Sequence, residues 1–237
     1  VSQGSNSSFN SPFHRLRGRI IVSCQAAEGD PLDDLDTLTR IATSVLRGGA
    51  GGLRAEGTAR IIAFRALTQL PIIGIIKTYD ANGDVYITPS FHSAKAVSDA
   101  GADIIALDCT ARRLTAPEPW PELIPRIHSE LNRPVLADIA SLDDALAAER
   151  AGVDAVATTL YGYTAETRGI RTPSWPLLQS LVAHLTIPVL LEGHITHPPE
   201  ALLALDMGAT AVVIGSAITR PETIANRFVQ ATRPADG

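Results

Sequence analysis

Eight apolar runs alternating with eight helix-like segments predict an α/β fold, a single-domain (β/α)8 TIM barrel. Two recurring patterns and one property of the runs carry this expectation. In the first pattern a glycine ends a helix and a small residue leads into a strand. It occurs at Gly49-Ala50-Gly51-Gly52-Leu53-Arg54, Gly101-Ala102-Asp103-Ile104-Ile105-Ala106-Leu107-Asp108, Gly152-Val153-Asp154-Ala155-Val156-Ala157-Thr158-Thr159 and Gly208-Ala209-Thr210-Ala211-Val212-Val213-Ile214-Gly215, with the glycines 52, 51 and 56 residues apart. In the second a proline leads directly into an apolar run, at Pro71 to Lys77, Pro134 to Asp138 and Pro188 to Glu192. The runs are also continuous rather than alternating, as expected of parallel strands covered on both faces. An open doubly wound sheet uses the same alternation, but eight strands in a roughly 50-residue double-unit repeat favour closure.

Taken in order, Val1 to Arg17 is rich in Ser and Asn and reads as a tail, and residues 18–231 form the barrel domain. Its first strand is Arg19-Ile20-Ile21-Val22-Ser23-Cys24. Helices are expected over Leu35 to Leu46, Thr58 to Leu70, Ser93 to Ala100, Pro121 to Leu131, Leu142 to Ala151, Pro176 to Leu185, Pro199 to Met207 and Pro221 to Ala231. Several have Ser, Thr or Asp near the start and Gly at the end. Asp80-Ala81-Asn82-Gly83-Asp84 is a turn signal that begins a short hairpin over the mouth. Residues 232–237 read as a C-terminal tail, and no linker divides the chain.

The composition bounds the chemistry. Of 237 residues 45% are hydrophobic and 19% charged, enough to bury a core and too little charge for a disordered chain. A net charge of −5 without a basic run argues against a broad nucleic-acid surface and leaves room for a local anion pocket. No apolar run approaches the length needed to cross a bilayer and the start lacks a signal-peptide core, so no membrane partner and a cytoplasmic location are expected. Cys24 and Cys109 are too few for a disulfide scaffold and lack metal spacing. His194 and His197 stand three apart in a proline loop without further ligands, so no metal is expected. Neither a Walker motif nor a dinucleotide fingerprint is present, and no cofactor is implied.

In such a barrel the chemistry sits where the strands end. Those positions hold Gln25, Arg54, Lys77, Asp108, Asp138, Thr159, Glu192 and Gly215-Ser216. Lys77 and Lys95 are the only lysines among 20 basic residues, and Lys77 follows the most apolar run. A desolvated lysine gives up its proton and acts as a base or nucleophile, whereas arginine stays charged. The plain alternative is a lysine that snorkels or pairs with a carboxylate. Glu192 ends another apolar run, which raises a carboxyl toward values useful in proton transfer, or else it pairs with Lys77 or Arg54. Asp138 and Asp108 either orient the lysine, bind sugar hydroxyls or form structural ion pairs. Gly215 and Ser216 open a helix beside Arg220, and Gly193-His194 lies in the preceding loop; together they suit a phosphate.

Ile21-Val22-Ser23-Cys24-Gln25, Arg54-Ala55-Glu56-Gly57, Pro71 to Lys77, Gly101 to Asp108, Thr158-Thr159-Leu160-Tyr161-Gly162-Tyr163-Thr164, Glu192-Gly193 and Val213 to Pro221 together resemble the bacterial N-acetylmannosamine-6-phosphate 2-epimerases, from about Gly18 to Ala231. The resemblance implies interconversion of N-acetylmannosamine 6-phosphate and N-acetylglucosamine 6-phosphate in sialic acid catabolism. It implies Lys77 and Glu192 as proton-transfer residues and Asp138 as the acid that orients the lysine or the sugar. Gln25 and Arg54 are then substrate contacts, and Gly215, Ser216 and Arg220 hold the phosphate; from their places at the mouth, Asp108, Thr159 and Tyr163 are further candidate substrate contacts and Gly193 completes the phosphate site. The partner is an N-acetylated hexosamine 6-phosphate, and a homodimer is a family-level expectation. Tyr161 departs from the serine usual in the family. Two rival readings are a Schiff-base aldolase acting on a sugar phosphate and a non-catalytic phosphosugar-binding barrel.

Overall fold

The computed structural model describes residues 11–27 and 29–233. Eight strands close a parallel barrel: β1 (Arg19–Ser23), β2 (Gly52–Glu56), β3 (Ile72–Ile75), β6 (Ile104–Asp108), β7 (Val135–Asp138), β8 (Ala155–Ala157), β9 (Val189–Glu192) and β10 (Ala211–Ile214). Neighbours in sequence are neighbours in the barrel, and β10 returns to pair with β1 in the register Arg19 opposite Ala211 to Val22 opposite Ile214. The outer helices are α2 (Leu35–Arg47), α3 (Thr58–Leu67), α4 (Phe91–Asp99), α5 (Trp120–Arg126), α6 (Leu142–Arg150), α7 (Trp175–His184) and α8 (Pro198–Asp206). The short α9 (Ser216–Thr219) and then α10 (Pro221–Ala231) follow.

Because strand residues alternate in and out, the apolar runs feed two cores. Ile21, Ile73, Ile75, Ile104, Ala106, Leu136, Leu190 and Val213 fill the barrel, while Val22, Leu53, Leu107, Val135, Val156 and Leu191 meet the helices. Gly74 is required for that second layer. A Cβ there would lie 2.5 Å from Val97 Cγ1 and 2.7 Å from the Ala102 Cβ, so glycine lets α4 approach β3.

Three expectations need correction. The tail does not extend to Arg17: α1 (Pro12–Leu16) closes the bottom of the barrel with Phe13 and Leu16, both buried in the inner core. Two apolar side chains spaced one helical turn apart outweigh the polar composition around them. Residues 1–10 and 234–237 of the expected tails lie outside the described residues. The helix expected over Pro121 to Leu131 is α5 followed by a wider π-type turn (Ile127–Leu131), placed just after Pro125, which has no N–H for the α-helical ladder. Lys77 does not end the third strand. β3 stops at Ile75, and Lys77 opens the hairpin β4 (Lys77–Tyr79) and β5 (Val85–Ile87). The chain leaves the barrel because Thr88 takes over the partners of Ile76: Ile76 N donates to Thr88 Oγ1 at 3.2 Å and Thr88 N to the Ile76 carbonyl at 2.7 Å. The turn of that hairpin falls on the predicted residues, with Asp80 Oδ1 accepting from Asn82 N and Asp84 N.

Candidate active site

The C-terminal ends of the strands open into a cavity of about 630 Å³. Its wall includes Gln25, Arg54, Lys77, Thr159, Tyr163, Glu192, Gly193, Gly215, Ser216 and Arg220, ten of the twelve expected site residues. Asp138 and Asp108 do not line it.

The floor is an ion-pair network spanning β2, β7 and β9. Arg54 Nη1 and Nη2 donate to Asp138 Oδ1 and Oδ2 at 3.1 and 2.6 Å, and Nη1 donates to Glu192 Oε2 at 2.8 Å. Arg54 is only 1% exposed and Asp138 fully buried. A bidentate fork suits arginine and holds the acid flat against it. Asp138 is therefore spent on Arg54 rather than on Lys77. Burial works against the Arg54 charge, yet Asp138 and then Glu192 more than reverse it, so the guanidinium stays protonated. Its Nε is buried without a partner among the described residues. Thr159 Oγ1 lies 2.5 Å from Asp138 Oδ1 and 3.0 Å from Glu192 Oε2, and its one proton serves either. Thr158 fixes the strand end beneath: its Oγ1 donates to the Glu192 carbonyl and accepts from Glu192 N.

Glu192 and Lys77 face the cavity from opposite kinds of element, a barrel strand and a hairpin foot. Burial pushes the Glu192 carboxyl above its ordinary value and Asp138 adds to this, against Arg54, Thr159 and Lys77. Burial also pulls the Lys77 ammonium below its ordinary value, with Arg54 and Arg220 adding and Glu56 and Glu192 opposing. Among the described residues Lys77 makes no ion pair. The two groups are thus brought closer in proton affinity.

Asp108 takes the structural alternative. Its side chain is fully buried, accepts from Thr110 N and Oγ1 and pairs with Arg112 Nη2 at 2.7 Å. The other side of the mouth carries the phosphate-like features. Thr219 Oγ1 donates to the Ser23 and Gly215 carbonyls at 3.2 and 3.1 Å, tying the start of α9 to β1. The first amides of α9 have no partner within the helix and sit beside Gly193 and Arg220.

Sequence reasoning missed Ser23, Arg171, Thr196 and Arg227, which also line the cavity. Arg171 stacks over Tyr163 at 5.5 Å, and Tyr163 stacks on His194 with ring centroids 5.8 Å apart. Gly162 makes that wall possible, since a Cβ there would lie 2.6 Å from the Ile170 carbonyl and 2.8 Å from His194 Nε2, at a φ of +95°. The signal for Arg171 was its place in an arginine-bearing loop after a barrel strand. Arg227 had none, because it lies inside the last helix. Among the described residues the cavity carries Arg54, Lys77, Arg171, Arg220 and Arg227 against Glu192 alone, a charge balance that favours an anion. Tyr161, the departure from the family pattern, is not part of the wall.

A model of the family described as "Putative N-acetylmannosamine-6-phosphate epimerase" matches residues 38–234. The chain belongs to this family. A relative named "Putative N-acetylmannosamine-6-phosphate 2-epimerase" from Thermosynechococcus vestitus is 47% identical over 92% of this chain and 95% of its own. One of the same name from Clostridioides difficile is 42% identical over 92% and 97%. The structure is similar to that of the N-acetylmannosamine-6-phosphate 2-epimerase from Clostridium perfringens, with a TM-score of 0.88, 36% identity and coverage of 98% and 99%. Thiamine phosphate pyrophosphorylase from Pyrococcus furiosus, at 18% identity and a TM-score of 0.60, shares the fold alone. Among the described residues of this epimerase-family chain, no helix is long and apolar enough to cross a membrane.

Proposed function

We propose that this chain interconverts N-acetylmannosamine 6-phosphate and N-acetylglucosamine 6-phosphate, as the names of its relatives indicate for them, in the breakdown of sialic acid. The observation that carries the reading is the pairing of Lys77 with Glu192 across one cavity, one depressed and one raised in pKa, with no ion pair joining them. The C2 proton of the sugar is acidic only beside a carbonyl, so the ring opens to the aldehyde first. Lys77 in its neutral form takes the C2 proton, leaving an enolate. A proton is then returned to C2 on the opposite face, from Glu192 or from the lysine after the intermediate turns. Arg54, fixed by Asp138, places positive charge where the enolate oxygen develops. Gln25, Thr159 and Tyr163 contact the sugar. Gly193, Gly215, Ser216 and Arg220 hold the phosphate, so that binding at the far end positions the reacting one.

The reading extends to a cytoplasmic homodimer working without a cofactor. A doubly charged sugar phosphate does not cross an apolar bilayer unaided, which supports the compartment. No side chain of α10 is buried, and Phe228 and Val229 are 70% and 50% exposed on it, which supports a protein partner at that face. Either sugar phosphate, incubated in deuterated water and followed by NMR, is expected to gain deuterium at C2 with inversion. Binding without exchange overturns the proposal in favour of a sensor. A borohydride-trapped adduct on Lys77 overturns it in favour of an aldolase.

A further inference from the structure

The hairpin that carries Lys77 belongs to no barrel strand: β4 and β5 pair only with each other. The place of the ammonium therefore depends on what holds the hairpin against the wall. One tie is exposed, Arg168 to Asp84 at 2.8 Å, with Arg168 60% exposed and open to screening. Ile87 seats the foot in the inner core, with Val85 packed against it, and beside it a second polar tie is built inward. Arg112 Nη2 donates both to the Val85 carbonyl of β5 at 2.6 Å and to Asp108 at 2.7 Å. Its Nε donates to Thr110 Oγ1 at 3.3 Å, and its guanidinium lies 4.4 Å from the centre of the Tyr86 ring. Val85 stands opposite Tyr79 and Ile87 opposite Lys77 in the hairpin ladder, so a grip on β5 is transmitted across two residue pairs to the lysine.

We propose that Asp108 and Arg112 are positioning residues, a strut from the end of β6 that grips the returning strand of the hairpin and keeps Lys77 against the cavity. The inference rests on the reading of Lys77 as a proton-transfer group. It explains why a barrel-end carboxylate is sealed from the cavity and spent on an arginine that touches no other part of the site. The charged groups facing Lys77 are Arg54 and Glu56 from β2, Glu192 from β9 and Arg220 after α9. None of them is on the hairpin, so a hairpin that swings outward moves the lysine away from all four and into water. Its proton affinity then rises toward that of an ordinary lysine.

The test uses the full chain and its two lysines. With lysine labelled with carbon-13 at Cε, Lys77 and Lys95 give two resonances, and Lys95, 55% exposed, is the internal control. The variants are Arg112→Gln, Tyr86→Leu, which weakens the same strut without leaving a buried charge, and the conservative Arg112→Lys. In the first two the rate of C2 exchange at saturation is expected to fall about tenfold, against the ~10²-fold that a full 1 Å misplacement can cost. KM should stay within about twofold, the Lys77 titration should move upward, and Lys95 should not move. Arg112→Lys should recover part of the rate. Unchanged kcat and an unchanged Lys77 titration in both folded variants overturn the strut, as does a loss that falls wholly on KM. The titration needs no turnover: if the parent chain fails to exchange C2, the epimerase reading falls while the movement of the Lys77 resonance still decides the strut.

Discussion

Replacing Asp138 by asparagine changes one atom and is expected to cost far more than a surface substitution. Asp138 is fully buried and meets Arg54 with two hydrogen bonds, at 3.1 and 2.6 Å. Removing one member of a buried pair typically costs 3–5 kcal/mol, because the other charge is left without compensation. Glu192 still reaches Arg54 at 2.8 Å, which places the expected loss near the lower end, about 3 kcal/mol. For a chain of this size each kcal/mol moves Tm by roughly 2–4 °C, so Asp138→Asn should melt about 6–12 °C below the parent. Calorimetry checks the shift, and urea unfolding with an unchanged slope confirms that stability and not compactness has altered. Glu192→Gln is the contrast. It leaves the bidentate pair intact and removes a carboxylate whose burial raises its pKa. A raised acid costs stability as pH climbs from its unfolded pKa through its folded one, and the full penalty remains above that. The glutamine variant escapes this penalty, so its stability relative to the parent should improve from pH 4 to pH 7 while C2 exchange is lost. An Asp138→Asn variant melting within about 2 °C of the parent would refute the claim that this pair anchors the floor.

Arg220→Met should lower kcat/KM for the sugar phosphate about 10- to 100-fold, since a charge-assisted hydrogen bond is worth about 1.5–3 kcal/mol, with part of the loss on kcat because the phosphate contact positions C2; steady-state kinetics separate the two parameters. Both thiols should resist a disulfide reagent at pH 8 in the folded protein and react at once in guanidinium, because burial pushes Cys24 up to about 12 and Cys109 well above its ordinary value. Phe13→Ala should lower stability by about 3–5 kcal/mol, as for an aromatic core truncation, and leave exchange per folded molecule unchanged, since the plug lies at the far end of the barrel.

How much was legible follows from how local each signal is. The barrel was legible because every strand is a continuous apolar run introduced by a glycine or a proline, and register follows from closing eight such runs. The cavity wall was legible wherever a polar residue ends a run, as at Arg54, Glu192 and Ser216. Partner choice was not. Asp108 and Asp138 end strands in the same way, yet one binds Arg112 and the other Arg54, a pairing between residues 84 apart that spacing along the chain cannot express. Phe13 and Leu16 were hidden for a different reason. Five helical residues carry too short a period to stand out from a polar tail, and only the open end of a barrel gives them something to cover.

The proposed reaction needs two groups on either side of one carbon, and the fold mounts them differently. Glu192 stands on a barrel strand paired on both sides, locked through Arg54 and Thr159 into a network that reaches three strands, so its position is as rigid as the barrel. Lys77 stands at the foot of a hairpin whose only covalent links to the barrel are the crossing at Ile76 and Thr88, where Thr88 holds a positive φ of 46°. A neutral lysine must also meet the acidic C2 hydrogen without meeting the protonated carboxyl of Glu192, whose proton would pass to the amine and leave an unreactive ion pair. A separate element keeps them apart, which a lysine on the strand beside Arg54 would not achieve. Moving the lysine one residue earlier, by the double change Ile76→Lys with Lys77→Ile, inverts the side chain across the ladder. It should abolish C2 exchange while leaving binding of inorganic phosphate at the opposite side of the mouth intact. Exchange that survives the swap, measured by NMR in deuterated water, would mean that the hairpin places the lysine too loosely for its position to matter.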